Sequence, residues 1–310
     1  AIKTEKLTKH YGNIIALDNL DLEVPENVVF GFLGPNGAGK TTTVKLLTGF
    51  AQPTSGNARV AGEEVSADNL SLQAKTGLLP DVPAFYNWMS GREFLHYVGE
   101  VHGMPRREII HRADELLEMV ELSQDGKRRI GGYSRGMRQR LGIAQALVNR
   151  PGVLFMDEPT SALDPIGRRE VLELILRLRE NATIFMSTHI LSDVERVCNM
   201  VGIINKGKLL AVSSVDALKK KYTRSFFEME FMENAEAFVQ SLKQVPWLAE
   251  PEITIVNGAP VLRVRAVDID HARREFPRLI SESGLTLLRY EFSLPSIEDI
   301  FVEILESGGK

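Results

Sequence analysis

The run Gly34-Pro35-Asn36-Gly37-Ala38-Gly39-Lys40-Thr41 has the residue types and spacing to close around phosphate. Its glycines let backbone N–H groups reach phosphate oxygens, and the start of the helix that follows adds about half a positive charge. Lys40 would reach the β and γ phosphates of a nucleoside triphosphate and Thr41 would hold Mg²⁺, with Thr42 next in the same binding segment. A Gly-rich turn with no ligand is the bland alternative, and the apolar strand-like run before the loop and the helix signal after it count against that.

A second group follows far downstream. Val153-Leu-Phe-Met-Asp157-Glu158 gives four apolar residues and then two acids, as a buried strand would deliver carboxylates at its exposed end. Ligands bind at the carboxyl ends of strands in open parallel sheets, so these acids can face the phosphates. Asp157 suits a metal and Glu158 an attacking water. An acidic pair at a strand end is common by itself; the phosphate loop makes the catalytic reading the favoured one. His189 follows another apolar run, Thr183 to Met186, and its position among carboxylates and phosphate predicts a γ-phosphate contact. The aromatic cluster Phe85, Tyr86, Trp88 and Met89 reads either as core or as a groove that receives a cytosolic helix of a membrane partner.

Elements must hold these groups together. β-rich runs at Asp21 to Val24, Val28 to Leu33, Ala58 to Ala61, Val153 to Met156, Thr183 to Met186 and Val201 to Ile204 alternate with helices starting near Thr41, Pro165 and Ser192. That alternation predicts an α/β domain on a partly parallel sheet. Strand signals vanish between about Val82 and Asn149, where Gly91 to His102, Arg106 to Leu122 and Ser134 to Asn149 predict an all-helical insert. After Lys219-Lys220-Lys221 the texture changes again. Phe226 to Phe231, Ala235 to Val245, Ile253 to Val256, Val261 to Val267, His271 to Glu282 and Thr286 to Phe292 read as βαββαβ, with a hairpin turn at Asn257-Gly258. A last helix is expected to open at Pro295-Ser296, with Asp299 completing a capping pair.

With 310 residues the chain should hold two domains, or one with a large appendage. Its 37 basic and 41 acidic residues argue against non-specific nucleic-acid binding, which runs on excess positive charge. The longest apolar runs fall well short of the roughly 18 residues of a membrane-spanning helix, so a membrane role is expected to come through a partner. Ala1 to His10 has no apolar signal core and the single Cys198 cannot close a disulfide within the chain, which points to a reducing cytosol.

From Ile2 to about Tyr222 the chain resembles the ATP-binding-cassette (ABC) ATPases, with the motifs in the right order. Ser161-Ala-Leu-Asp164 looks like that family's dimer-contact loop, Ser187-Thr188-His189 like its switch histidine, and Tyr11 sits where an aromatic stacks on adenine. The resemblance implies a P-loop NTPase fold with a helical subdomain at about 82–149 in a domain of residues 1–221. It also implies a head-to-tail dimer, as a homodimer or with a homologous ATPase chain. ATP and Mg²⁺ are then held between the phosphate loop of one subunit and the signature helix of the other. Here that helix opens at Tyr133-Ser134-Arg135-Gly136-Met137, where Ser134 and Gly136 match the usual Leu-Ser-Gly-Gly-Gln and Arg135 and Met137 do not. Asp81 stands where most of the family has a glutamine near metal and water, and is expected to bind one of them and tune turnover.

Both departures resemble the branch of drug, antibiotic and lipid exporters whose ATPase and permease are separate chains, which puts this chain peripherally on the cytoplasmic side of the membrane. Residues 222–310 are then expected to form a small α+β, ferredoxin-like accessory domain that braces the dimer or regulates it. A soluble ABC mechanoprotein acting on ribosomes or DNA is the first rival, but such proteins usually carry two cassettes or a long coiled coil. A small-molecule kinase is the second, and it would leave the signature helix idle.

Overall fold

The computed structural model describes residues 1–161, 163–221, 226–256, 259–266, 268–293 and 297–307. Contacts divide the chain into two compact units, Ala1–Val215 with Ile304–Lys310, and Asp216–Glu303.

In the first unit the elements run β1 (Ile2–Tyr11), β2 (Ile14–Val24), β3 (Val29–Leu33), α1 (Lys40–Leu47), β4 (Ser55–Val60), β5 (Glu63–Glu64), α2 (Leu70–Lys75) and β6 (Thr76–Leu79). They continue with α3 (Gly91–Val101), α4 (Arg106–Met119), α5 (Arg135–Ala146), β7 (Val153–Asp157), α6 (Pro165–Leu178), β8 (Thr183–Thr188), α7 (Leu191–Val197), β9 (Met200–Asn205) and β10 (Lys208–Ser214). A six-stranded sheet has the order β10-β9-β3-β8-β7-β6, parallel throughout except for β10 at its edge. A separate antiparallel sheet has the order β2-β1-β4-β5.

The central strands β3, β7 and β8 are buried at every position, as strands covered on both faces must be. Phe30, Phe32 and Phe155 gather around Phe185, with ring centroids 5.3 to 5.6 Å apart, and tie three neighbouring strands into one core. Their carboxyl ends therefore emerge on one rigid rim.

The helical insert contains α3, α4 and α5 with a short 3-10 turn at Ile130–Gly132. Two helices stop earlier than their periodicity suggests, at Met119 and Ala146. The first part of β2 and the whole of β1, β5, β6 and β10 add strand where none was expected. The aromatic cluster divides: Phe85 meets Phe94 edge-on at 5.1 Å, whereas Tyr86 and Trp88 stay exposed.

The chain continues through α8 (Val215–Lys221), β11 (Phe226–Phe231), α9 (Glu236–Leu242), β12 (Leu248–Val256), β13 (Ala259–Ala266), α10 (Ile269–Ser283), β14 (Leu287–Ser293) and α11 (Ile297–Ser307), of which β11 through β14 lie wholly within the second unit. Its sheet order β12-β13-β11-β14 is antiparallel throughout, the ferredoxin-like arrangement of a βαββαβ chain. Phe227, Met229, Leu262 and Val264 pack with Phe238 and Phe276 from the two helices to form its own core. The Asn257-Gly258 turn and the Pro295-Ser296 half of the capping pair lie outside the described residues, as do Ala162 and Tyr222. Among the described residues, no helix is long and apolar enough to cross a membrane.

Candidate functional site

β3 releases the chain at Gly34, and the loop turns into α1 at Lys40. Gly37 and Gly39 have φ of 79° and 109°, values that side chains disfavour, and a Cβ at Gly39 would lie 2.5 Å from the Ala16 carbonyl. Pro35, Asn36 and Gly37 are exposed at the loop's tip, while Gly34 and Ala38 are buried at its base. The Ala38 N–H donates to Pro35 O at 3.1 Å, and the Gly207 N–H donates to Ala38 O at 2.9 Å, tying the loop to the β9–β10 turn. The first N–H groups of α1 have no partner within the helix and form, with the dipole, an anion-binding mouth. Thr41 is exposed at that mouth, with Thr42 half-buried behind it.

Lys40 is only 6% exposed. Its Nζ donates to Gly34 O at 2.7 Å and Pro35 O at 3.3 Å and lies 3.4 Å from Glu158 Oε1. β7 ends in buried Asp157, whose Oδ1 accepts from the Ser187 hydroxyl at the end of β8. Glu158 extends that pairing by one bond, its N–H donating to Ser187 O at 2.9 Å, and then leaves the sheet with φ of +49°. The turn aims its carboxylate between Lys40 on one side and half-exposed His189, whose Nδ1 lies 2.9 Å from Oε2, on the other.

Asp81 is bridged to this group through Ser161, whose Oγ lies 3.3 Å from Asp81 Oδ1 and 3.2 Å from Glu158 O. Thr41, Asp81 and Asp157, together with Tyr11, line a cavity of about 1140 Å³ that runs on between α1, β6, α3 and α5. Among the described residues, no cluster of three or more His, Cys, Asp or Glu side chains is arranged to cage a metal. Mg²⁺ in nucleotide sites is bound through one or two carboxylates and completes its shell with phosphate and water, so the carboxylates of Asp157 and Asp81 with the Thr41 hydroxyl fit it. Tyr11 keeps an open ring, with Lys9 Nζ 5.0 Å from its centroid.

Ser134, Gly136 and Asp164 belong neither to this cavity's lining nor to the phosphate loop and the Lys40–Glu158–His189 group beside it. Ser134 is the N-cap of α5, its Oγ accepting from the Met137 N–H at 3.2 Å. Gly136 has open space around it, since an added Cβ would meet only Ser134 Oγ, at 4.0 Å. Asp164 caps α6 by accepting from the Gly167 N–H at 3.0 Å, with Pro165 in the first helical position.

Four buried or half-buried side chains around Glu158 escaped the sequence reading. Gln139 of α5 donates to Pro159 O at 2.8 Å, and Thr160 reaches Asp193 of α7, which Arg168 of α6 also contacts. The signal that could have found them is an acid on a buried helix face: in α7 the buried positions are Asp193, Val194 and Val197.

The ABC transporter family description matches residues 17–161. The chain is 38% identical over 315 residues to the bacitracin transport ATP-binding protein BcrA of Bacillus licheniformis, covering 99% of this chain and 98% of that protein. It is 33% identical over 312 residues to the daunorubicin resistance ATP-binding protein DrrA2 of Streptomyces coeruleorubidus, covering 98% and 94%. A solved dimeric structure of MJ0796, a bacterial ABC transporter cassette, superposes with a TM-score of 0.64 at 25% identity, over 69% of this chain and 99% of that one.

Proposed function

This chain belongs to the ATP-binding subunits of ABC transporters, a family of ATPases, and from that premise we propose that it drives export through a separate membrane permease. The observation that carries the reading is the Glu158 carboxylate held between Lys40 and His189, at 3.4 and 2.9 Å, beside the open start of α1. Lys40 leaves Glu158 for the β and γ phosphates when ATP enters, and the freed carboxylate then orients and deprotonates the attacking water. His189 and Lys40 stabilise charge on the transferred phosphoryl group, while Tyr11 stacks on the adenine. Phosphoryl transfer needs positioning and electrostatics more than covalent chemistry, and losing one such contact costs about 100-fold to 1,000-fold in rate. Thr41, Asp157 and Asp81 would hold Mg²⁺, which when bound neutralises phosphate charge.

Ser134, Gly136 and Asp164 serve a second copy in this scheme. The open approach at Gly136 and the helix start behind Ser134 suit the γ-phosphate bound by a neighbouring subunit, in a head-to-tail homodimer or a dimer with a homologous chain. The permease docks at the far end of the cavity, where Phe50 and Val82 are each 75% exposed and Tyr86 and Trp88 lie close by in sequence. Its cargo belongs to the chemistry that the relatives' names record, antibiotics such as bacitracin and daunorubicin. This work is done from the cytoplasmic face of the membrane.

Glu158→Gln is the test. It is expected to bind ATP, to hydrolyse it at under about one-hundredth of the normal rate, and to accumulate as a closed dimer. A fully active variant, or one that stays monomeric with ATP, contradicts the scheme. The native chain is expected to co-purify with an integral membrane protein; recovery with ribosomes instead would favour a soluble mechanoprotein.

A further inference from the structure

Two residues past Glu158 the chain is anchored from below. Thr160 is 2% exposed, and its hydroxyl donates to Asp193 Oδ2 at 2.5 Å. Asp193 is 1% exposed, and its other oxygen accepts from Arg168 through Nε at 2.7 Å and Nη2 at 2.6 Å. Arg168 also donates to Ser192 Oγ at 2.6 Å. One buried carboxylate thus joins three segments: the loop that carries Glu158, the start of α6 just after Asp164, and the first turn of α7 just after His189.

Stability alone does not require this arrangement. Two further residues on the buried side of α7, Val194 and Val197, are apolar, and an apolar residue of similar volume in place of a buried ion pair is often neutral or stabilising. The network does what a third apolar contact could not, because it fixes direction as well as distance. Glu158 needs that, since its left-handed turn is held only if the residues after it cannot relax.

We propose that Asp193 is a positioning residue for ATP hydrolysis: through Thr160 it holds the turn at Glu158 in register with the segment that carries His189. The inference rests on the reading above that Glu158 acts on water.

Steady-state ATPase kinetics on the full-length chain, with nucleotide binding measured alongside, provide the test. Thr160→Val keeps the side-chain shape and removes the hydroxyl. It is expected to lower kcat about 10-fold or more while KM for ATP stays within about twofold, because misplacing a reacting group by a fraction of an ångström acts on the transition state. Thr160→Ser, which keeps the hydroxyl, should recover most of the rate. Asp193→Ala should lower kcat likewise, and the double variant should fall no more than about twofold below the worse single one, since both cut one tie.

Arg168→Gln probes the same network from its half-exposed side, leaving Thr160 and its hydroxyl in place, and should lower kcat several-fold at unchanged KM. That variant decides the matter if Thr160→Val does not fold. Normal kcat in Thr160→Val, or in Arg168→Gln where that is the variant used, overturns the proposal. So does a parallel loss of kcat and ATP affinity that Thr160→Ser fails to restore, or a double variant whose effects simply multiply. Glu158→Gln in the same assay separates the two ideas: if it still hydrolyses ATP the reading of Glu158 fails, whereas an inactive Glu158→Gln beside a normal Thr160→Val removes only Asp193's role.

Discussion

At Glu158 the side chain proposed to act on water sits on a backbone that its own Cβ disfavours. A φ of +49° is a conformation that non-glycine residues adopt at a cost of roughly 1 kcal/mol or more. Glu158→Gly and Glu158→Ala both remove the carboxylate with its contacts to Lys40 and His189, but only glycine relieves the turn. Denaturant melts are therefore expected to find Glu158→Gly about 1 kcal/mol more stable than Glu158→Ala, with neither hydrolysing ATP. Equal stabilities would mean that the turn carries no strain. The position of Glu158 just past a buried strand was legible from the four apolar residues that precede Asp157. Its turn was not, because nothing in the types around it announces a positive φ. Asp193 was missed because an acid four residues past His189 reads as solvated until its helix face is known.

Helix starts decide where the larger pieces begin. Ser90 opens α3 with a reciprocal cap: Glu93 Oε2 accepts from the Ser90 N–H at 2.8 Å, and the Glu93 N–H donates to Ser90 Oγ at 3.3 Å. The Ser90 backbone and hydroxyl bonds hold the Glu93 carboxyl below its ordinary 4.5. A depressed acid stabilises the fold fully above its unfolded value, and that contribution is lost as pH falls through the folded one. Ser90→Ala is expected to cost about 1 kcal/mol at neutral pH, read from urea melts. In the wild type the Glu93 half of the cap should fade on acidification below about pH 4.5. An unchanged midpoint in Ser90→Ala would show that packing of Phe94 and Leu95 alone sets this helix.

Elements of this size were read well where burial is two-sided. β3, β7 and β8 are continuous apolar runs, and the βαββαβ order of the second unit followed from alternating patterns between clear turns. β1 was hidden because the exposed Lys3, Glu5 and Lys6 interrupt its buried positions. β6 is four residues long and includes Gly77, whose missing side chain admits the Ala146 carbonyl. Neither signal rises above that of a loop.

For the whole molecule, what no linear pattern could give is the grouping: Lys40, Glu158 and His189 meet, whereas Ser134 and Asp164 turn their side chains to the starts of their own helices, with Gly136 beside Ser134. One short bond crosses that division. Gln139 lies on the helix that begins after Ser134, and its amide grips Pro159 O directly beyond Glu158. In a pair of subunits, that helix would sense the neighbour's nucleotide while the gripped loop works on its own. The two compartments should then fire cooperatively, with a sigmoidal dependence on ATP and a Hill coefficient above 1, and Gln139→Ala should bring it back toward 1 by turning two linked engines into two independent ones.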